Sequence, residues 1–214
     1  MSITHHPSED LLFAYAAGRL DEGQSLAIAT HLEGCSSCRT TLRALEELAG
    51  AALEDIEPVA MQSGAFDRLA ARLSPTHPLS PAARPARAPL ERGLPASLQG
   101  YALSSWKWVA PGVSMRPILL PESSKTRAFL LKSSKGTSML QHTHSGIELT
   151  CVLTGNFSHE GGLFAAGDFD LGDDRVDHKP LVGSDEECVC LVAMTGELQL
   201  KGFLGRMIQP FIRL

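Results

Sequence analysis

Six prolines between residues 75 and 95 divide this 214-residue chain into two unlike parts. Proline fixes φ and has no amide hydrogen, so this density excludes the interiors of helices and sheets alike. Alanine, arginine and serine separate the prolines, a composition typical of an extended, semi-rigid tether. The sequence therefore predicts a first domain over residues 1–74, a Pro/Ala-rich linker over 75–97 and a second domain over 98–214.

The first part has the apolar spacing of short helices. Ser8 is a candidate N-cap, followed by Glu9 and Asp10 in the first turn, where a helix dipole favours acidic side chains. Gly34 is a natural helix stop. The predicted helices are one that starts after Ser8 and three over residues 25–32, 36–56 and 61–73.

The second part alternates short apolar runs with turn residues. Glycines followed by polar residues, such as Gly155-Asn156 and Gly167-Asp168, separate the runs. Runs of this length and spacing predict an all-β sandwich or barrel. The predicted strands cover residues 106–109, 127–131, 148–153, 188–193 and 198–203.

Charge and composition exclude several classes of function. The net charge of -5 is a poor match for nucleic-acid phosphate, so we expect no direct nucleic-acid binding. The first residues show no basic region followed by an apolar run, and no stretch approaches the roughly 18 apolar residues that cross a bilayer. Five cysteines without an export signal favour reduced thiols in the cytoplasm.

A first group of candidate metal ligands reads His31-x3-Cys35-x2-Cys38. Both cysteines would lie at the start of the third helix, where backbone amides favour the thiolate that binds zinc. Tetrahedral zinc with nitrogen and sulfur ligands needs a fourth group, for which His5 and His6 are the nearby candidates. Closed ligation of this kind predicts a structural metal whose binding supplies folding energy.

A second group is His142, His144 and Glu148, with His178 as the last ligand. Residues two apart on a strand face the same way, so both histidines of His142-x-His144 can point into a barrel. Imidazoles and a carboxylate suit zinc, iron, manganese or nickel.

Other cysteines and histidines receive a weaker interpretation. Cys188 and Cys190 share one face of a strand and either line the barrel or serve as small core residues. Cys151 faces away from the metal on a regular strand. We expect His159 and His77 to be solvated, in a turn and in the linker.

The segment from His31 to Cys38, with an upstream histidine and flanking helices, resembles the zinc-binding anti-sigma domain. The resemblance implies a four-helix unit in which His6, with His5 as the alternative, completes the zinc site. It also implies that apolar helix surfaces hold a sigma factor of the extracytoplasmic-function group. Candidate anchors, each of which could instead belong to the helix-bundle core, are Leu11, Leu12, Tyr15, Leu45, Leu48, Phe66 and Leu69.

The segment from Gly136 to Gly155 resembles the first cupin motif, G-x5-H-x-H-x3-E-x6-G, at every defined position. It implies a double-stranded β-helix, or jelly-roll, that binds a metal. The second cupin motif is less faithful, because Gly172 and the residues after it replace the usual Pro-x-Gly.

A zinc anti-sigma domain joined to a cupin resembles the ChrR-type anti-sigma factors. This family implies that the first domain holds the sigma factor and that the cupin domain is needed for its release under oxidative stress, from singlet oxygen or organic peroxides. We therefore expect a regulator rather than an enzyme. The alternatives are a cupin metalloenzyme of the dioxygenase or isomerase type and a small-molecule sensor. Self-association stays open.

Overall fold

Four helices form the first part of the chain in the computed structural model, which describes residues 2–73, 94–175 and 177–201. Ser8 is the N-cap of the first helix, as predicted, and its hydroxyl oxygen accepts a hydrogen bond from the Leu11 amide at 3.3 Å. Within the described ranges, no helix combines the length and apolar character that a bilayer crossing requires. The helices are α1 (Glu9–Ala16), α2 (Glu22–Gly34), α3 (Ser36–Glu54) and α4 (Ala65–Leu73).

Two helix starts differ from the prediction by three or more residues, and the ends of α2 and α3 differ by two. Helix α2 begins three residues early because Asp21 caps it and Gln24 bonds back to the Asp21 amide at 3.2 Å, a capping box that the apolar spacing did not indicate. Helix α4 begins late because Gly64 has a φ of 73°, which no right-handed helix accommodates.

The second part forms the predicted all-β domain. The strands are β1 (Ala102–Leu103), β2 (Lys107–Ala110), β3 (Val113–Leu119), β4 (Arg127–Ser133), β5 (His142–His144), β6 (Glu148–Thr154), β7 (Asn156–His159), β8 (Gly162–Ala165), β9 (Phe169–Gly172), β10 (Leu181–Val182), β11 (Cys188–Met194) and β12 (Leu198–Leu200). The largest sheet has seven antiparallel strands in the order β1-β3-β4-β11-β6-β9, with β2 also paired to β3. A three-stranded sheet, β10-β7-β8, and the pair β12-β5 complete the barrel.

Strand β11 contributes to two different cores because its side chains alternate between the faces of the sheet. Leu191 and Ala193 belong to the hydrophobic cluster that contains Ile28 of α2. Cys190 and Val192 belong to a second cluster inside the barrel. The helices and the outer face of the sheet therefore share one core.

Polar contacts fasten the ends of α2 to the second part of the chain. Asp21 accepts hydrogen bonds from the Ser124 hydroxyl and from the Lys125 amide, at 2.5 and 2.9 Å. At the other end, the Glu33 carboxylate accepts from the amides of Ala96 and Ser97. Residues 94–97, which were predicted to belong to the linker, thus pack beside α2.

Replacing Asp21 by alanine is expected to lower the free energy of unfolding by about 1–3 kcal/mol, because both the helix cap and the bonds to residues 124–126 are lost. Asparagine at the same position keeps the cap and should cost less. Urea denaturation at pH 7 measures both, with exposed Glu47→Ala as the control.

The stability difference between Asp21→Ala and the parent chain should depend on pH. Partial burial raises the pKa of Asp21, but the hydrogen bonds from Ser124, Lys125, Thr126 and Gly23 outweigh burial and hold it well below its ordinary value. The stability that Asp21 contributes is therefore present above about pH 4 and declines as the pH falls further. Equal stability of Asp21→Ala and the parent chain at pH 7 would contradict a stabilising role for these hydrogen bonds.

Candidate metal centres

The first centre gathers two histidines and two cysteines from three places in the chain. His6 precedes α1, His31 lies in the last turn of α2, and Cys35 and Cys38 open α3. Their four ligand atoms all lie within 4.8 Å of one another. Cys35 Sγ is 3.3 Å and Cys38 Sγ 3.4 Å from His6 Nδ1, and His31 Nε2 is 3.3 Å from Cys38 Sγ.

These separations fit a tetrahedral zinc ion, whose ligand atoms are about 3.3–3.8 Å apart. The Nδ1 atom of His31 lies 2.8 Å from the Gly167 carbonyl oxygen, an acceptor, so the ring carries its proton there and turns the Nε2 lone pair toward the cysteines. Burial and the neighbouring Cys35 raise the pKa of Cys38 to about 12. A cation at this position would supply the charge that the thiolates need.

The structure brings His6, and not His5, to this group. His5 turns to the barrel instead: its Nδ1 lies 3.6 Å from Asp168 Oδ2, and its ring centroid lies 4.3 Å from that of Phe164. His6 is exposed, whereas His31, Cys35 and Cys38 are buried.

The second centre lies inside the barrel. His142 and His144 are on β5, and His178 forms an isolated β-bridge with His142. His178 Nε2 is 2.9 Å from His142 Nε2 and 3.3 Å from His144 Nε2. Gly172 leaves room for the His144 ring, because a Cβ there would lie 3.3 Å from His144 Cδ2.

The three rings favour a cation over a proton. Burial lowers the pKa of His142 and of His144, and burial together with the neighbouring histidines lowers the pKa of His178 to about 4. His142 Nδ1 lies 2.7 Å from the Leu140 carbonyl oxygen, which fixes the proton on Nδ1 and leaves the Nε2 lone pair facing His178. Converging neutral imidazole lone pairs are the donor set that a divalent transition metal takes.

Glu148 lies beside this trio rather than among its convergent atoms. Its Oε2 is 3.7 Å from Nδ1 of His144, and its Oε1 accepts a hydrogen bond from the Thr150 hydroxyl at 3.3 Å. Burial raises the pKa of Glu148, against the opposing effect of His142.

Two residues outside the predicted ligand set, His159 and Asp170, extend the second centre. The expectation that His159 is solvated was wrong: its side chain is only 5% exposed on β7, and its Nε2 lies 2.9 Å from Asp170 Oδ2. Its ring centroid is 5.0 Å from that of His178. Strand alternation over residues 157–159 and 168–170 was the available signal. His77 lies outside the described residues.

A short segment, residues 167–172, contacts both centres. At one end the Gly167 carbonyl faces His31, and Asp168 Oδ1 accepts hydrogen bonds from the amides of Thr4 and His5 at 2.7 and 2.9 Å. A Cβ on Gly167 would lie 2.7 Å from the Ile3 side chain, which explains the glycine. At the other end Asp170 holds His159.

The remaining cysteines follow the predicted strand faces. Cys188 and Cys190 line the barrel cavity, with their sulfur atoms 3.6 Å apart. Cys151 is buried in the core that the sheet shares with the helices, on the opposite face.

The candidate helix anchors divide into two groups. Leu12 is a core residue, 3% exposed, and three others pack partly buried against the same core: Leu11, Tyr15 and Leu45. In contrast, Leu48, Phe66 and Leu69 are 66%, 72% and 52% exposed.

Comparison with known proteins agrees with this arrangement. A zinc-finger family model matches residues 8–39, and the model of the ChrR cupin-like domain matches residues 99–198. The chain is 37% identical, over the full length of both proteins, to the anti-sigma-E factor ChrR of Cereibacter sphaeroides. It is also similar to the anti-sigma ChrR in the crystal structure of Rhodobacter sphaeroides SigE bound to ChrR, with a TM-score of 0.73, 35% identity and coverage of 90% of this chain and 99% of that one. The chain therefore belongs to the ChrR family of anti-sigma factors.

Proposed function

We propose that this protein binds a sigma factor of the extracytoplasmic-function group and withholds it from RNA polymerase. The observation that carries this function is an apolar surface, here called the α3–α4 surface, which runs from the second half of α3 through α4. Its exposed members are Leu48, Leu53, Ile56, Val59, Met61, Phe66, Leu69 and Leu73. Large exposed apolar side chains that follow one another so closely along the chain mark a protein interaction site.

The helix-bundle alternative does not account for the α3–α4 surface within the described part of the chain. Helix α4 has no buried residue, and Cys38 alone is buried in α3. A partner that covers these helices would remove their apolar side chains from water, which is the main source of binding free energy. The related ChrR was crystallised in complex with SigE, which supports a sigma factor as that partner.

Two metals complete the proposed function. Zinc held by His6, His31, Cys35 and Cys38 would have a structural role, because four protein ligands leave no open position. In the barrel, His142, His144 and His178 would hold zinc or another divalent metal, with Glu148, which lies beside the trio, as the fourth ligand.

Release of the sigma factor is assigned to the barrel. An oxidative signal, singlet oxygen or a peroxide as the family resemblance implies, would alter the barrel centre in the cytoplasm. Residues 167–172 offer a route to the helices, because Asp170 contacts His159 while Asp168 and Gly167 contact the N-terminal segment and His31, respectively.

The test is a double substitution on the α3–α4 surface. Phe66→Glu with Leu69→Glu is expected to weaken sigma binding by at least about 100-fold, since two central apolar anchors would be charged. The sigma factor is first captured from native cells with the tagged chain and identified by mass spectrometry, and affinities are then measured with purified proteins. Leu163→Glu, at an equally exposed leucine of β8, serves as the control and should bind normally. Unchanged affinity of the double variant would contradict the assigned surface.

The metalloenzyme alternative accounts for the barrel but not for the helices. Polar groups line the barrel cavity beside the second centre, among them Glu148, Asp170 and His178, as an enzyme would also require. An enzyme that acts on a small molecule has no use for the exposed apolar side chains of the α3–α4 surface. This surface favours the regulatory function over a dioxygenase or isomerase.

A further inference from the structure

Within the described ranges, two residues line both the barrel cavity and a second cavity of about 490 Å³ between the N-terminal segment and strands β7 to β9. They are Asp170 and His178, and His159 lines the second cavity beside them. We propose that Asp170, held in place by His159, orients His178 for the barrel metal. Asp170 is thus a positioning residue that acts through His178 and not a ligand of the metal. This inference rests on the proposed barrel metal.

His159 is fixed in one tautomer and one orientation. The Gly161 amide donates a hydrogen bond to His159 Nδ1 at 2.9 Å, so the neutral ring carries its proton on Nε2. Nε2 lies 2.9 Å from Asp170 Oδ2 and therefore donates to that carboxylate. The ring also stacks on Phe164, with the centroids 4.9 Å apart. Because both nitrogens of His159 are engaged, this ring holds Asp170 and has no lone pair to offer a metal.

Asp170 keeps acceptor capacity for a second donor. A carboxylate has about four lone-pair sites, and His159 uses one of them. The nearest candidate donor is on His178, because ring nitrogens of His159 and His178 and a carboxylate oxygen of Asp170 all lie within 4.8 Å of one another. Over such a distance a carboxylate and a ring nitrogen are joined directly or through one bridging water.

His178 needs this acceptor if it binds a metal. Its Nε2 faces His142 and His144, whereas its Nδ1 is buried and has no hydrogen-bond partner in the part of the chain that the structure describes. A neutral histidine that binds a metal through Nε2 carries its proton on Nδ1, and an outer carboxylate or carbonyl that accepts this proton fixes the ring. His142 has such an acceptor in the Leu140 carbonyl. Asp170 supplies the corresponding acceptor for His178.

Substitutions at Asp170 and His159 test this role in the full-length protein, with zinc as the probe and chelator competition as the measurement. Asp170→Asn offers one oxygen to two donors and should weaken zinc binding in the barrel by about 10–100-fold. His159→Leu removes the donor and should weaken it by about 10-fold, whereas His159→Gln, whose amide can donate to Asp170, should bind within about threefold of the parent. Asp185→Asn, at an exposed site, should bind zinc as the parent does.

The ring signals of His178 distinguish orientation from ligation. In the isotope-labelled, zinc-loaded parent chain, nuclear magnetic resonance should show a His178 Nδ1 proton that exchanges slowly with water. In Asp170→Asn at saturating zinc, the resonance of this proton should shift and its exchange should become faster. The same ring signals report zinc in the barrel during the competition, so zinc at the first centre does not contribute.

Gly161→Ala tests the pair from an exposed turn if Asp170→Asn folds poorly. A Cβ at residue 161 would lie 2.6 Å from His159 Cε1, so alanine displaces the ring while every candidate ligand and Asp170 are kept. This variant should weaken zinc binding in the barrel as His159→Leu does. Gly50→Ala is the matched control, because a Cβ there meets nothing within 4 Å.

Two results would overturn the role of Asp170 while the parent chain binds zinc in its barrel. The first is an affinity within about threefold of the parent in Asp170→Asn, His159→Leu and Gly161→Ala alike. The second is weaker binding by Asp170→Asn with an unchanged His178 Nδ1 proton, which would make Asp170 a ligand. A parent chain that binds no zinc in the barrel would refute the proposed barrel metal, and this inference with it.

Discussion

Alanine at both Cys35 and Cys38 is expected to remove about one equivalent of zinc, unfold α1 and α3 and abolish sigma binding. Structural zinc sites contribute about 10–16 kcal/mol of apparent binding free energy, which is also folding free energy. Helices shorter than about 12–15 residues are marginal without tertiary support, and α1 has 8 residues. Helix α3 is longer, but Cys38 is its one buried residue, so the metal supplies much of its tertiary support. Metal analysis, circular dichroism and a sigma-binding assay measure the three losses.

The matched control removes two other thiols. Cys188→Ala with Cys190→Ala changes the barrel wall and leaves the first centre intact. This variant should therefore keep the zinc of the first centre and the sigma affinity of the parent. Hydrogen exchange should show faster amide exchange in residues 9–16 of the Cys35/Cys38 variant, while β4 and β11 stay protected. A Cys35/Cys38 variant that keeps its zinc and its sigma affinity would contradict a structural metal at this site.

Alanine at both His142 and Glu148 is expected to have the opposite pattern. The barrel should lose its metal, because only His144 and His178 would remain of its candidate ligands, and two imidazoles bind a divalent ion weakly. The first centre should keep its zinc, and sigma affinity should stay within about threefold of the parent, whereas release under oxidative stress should be lost. Metal content per chain and a sigma-dependent reporter in cells measure both effects. A normal stress response would refute a role for the barrel metal in release.

A companion variant separates the metal from the route that we propose for its signal. Asp168→Asn keeps every candidate metal ligand but weakens the bonds to the Thr4 and His5 amides. Backbone hydrogen bonds from Ala165, His5 and Thr4 outweigh the effect of burial and lower the pKa of Asp168, so a charged carboxylate accepts these bonds. We expect this variant to retain both metals and to release less sigma factor under oxidative stress. Asp185→Asn, at an exposed site, should behave as the parent chain does.

Local sequence signals predicted the four helices and parts of five of the twelve strands in the described residues. The N-cap at Ser8, the glycine-bounded strands and the alternation that separates Cys151 from Cys190 all depend on neighbours in the chain. The positions of His31, Cys35 and Cys38 follow in the same way, since they lie on one helix end and the start of the next. Backbone geometry over a few residues is enough to place such side chains together.

Contacts between distant segments could not be predicted in this way. Nothing in the local pattern indicates that Gly167 turns its carbonyl toward His31, 136 residues earlier in the chain. The same holds for Asp21, which caps a helix and also holds residues 124–126, and for His159, whose burial depends on the packing of β7 beside His178. The proline-rich tether suggested separate domains, whereas apolar burial between α2 and the sheet joins them.

The shared strand β11 has a thermodynamic consequence. Leu191 and Ala193 pack against the helices, and Cys190 and Val192 form part of the cavity wall. The helix core and the cavity wall are therefore opposite faces of one strand. If metal binding in the barrel changes the affinity for the sigma factor by some factor, linkage requires that the bound sigma factor change the metal affinity of the barrel by the same factor. Titration of the barrel with metal, with and without the sigma factor, would therefore measure the coupling free energy directly, without any stress signal.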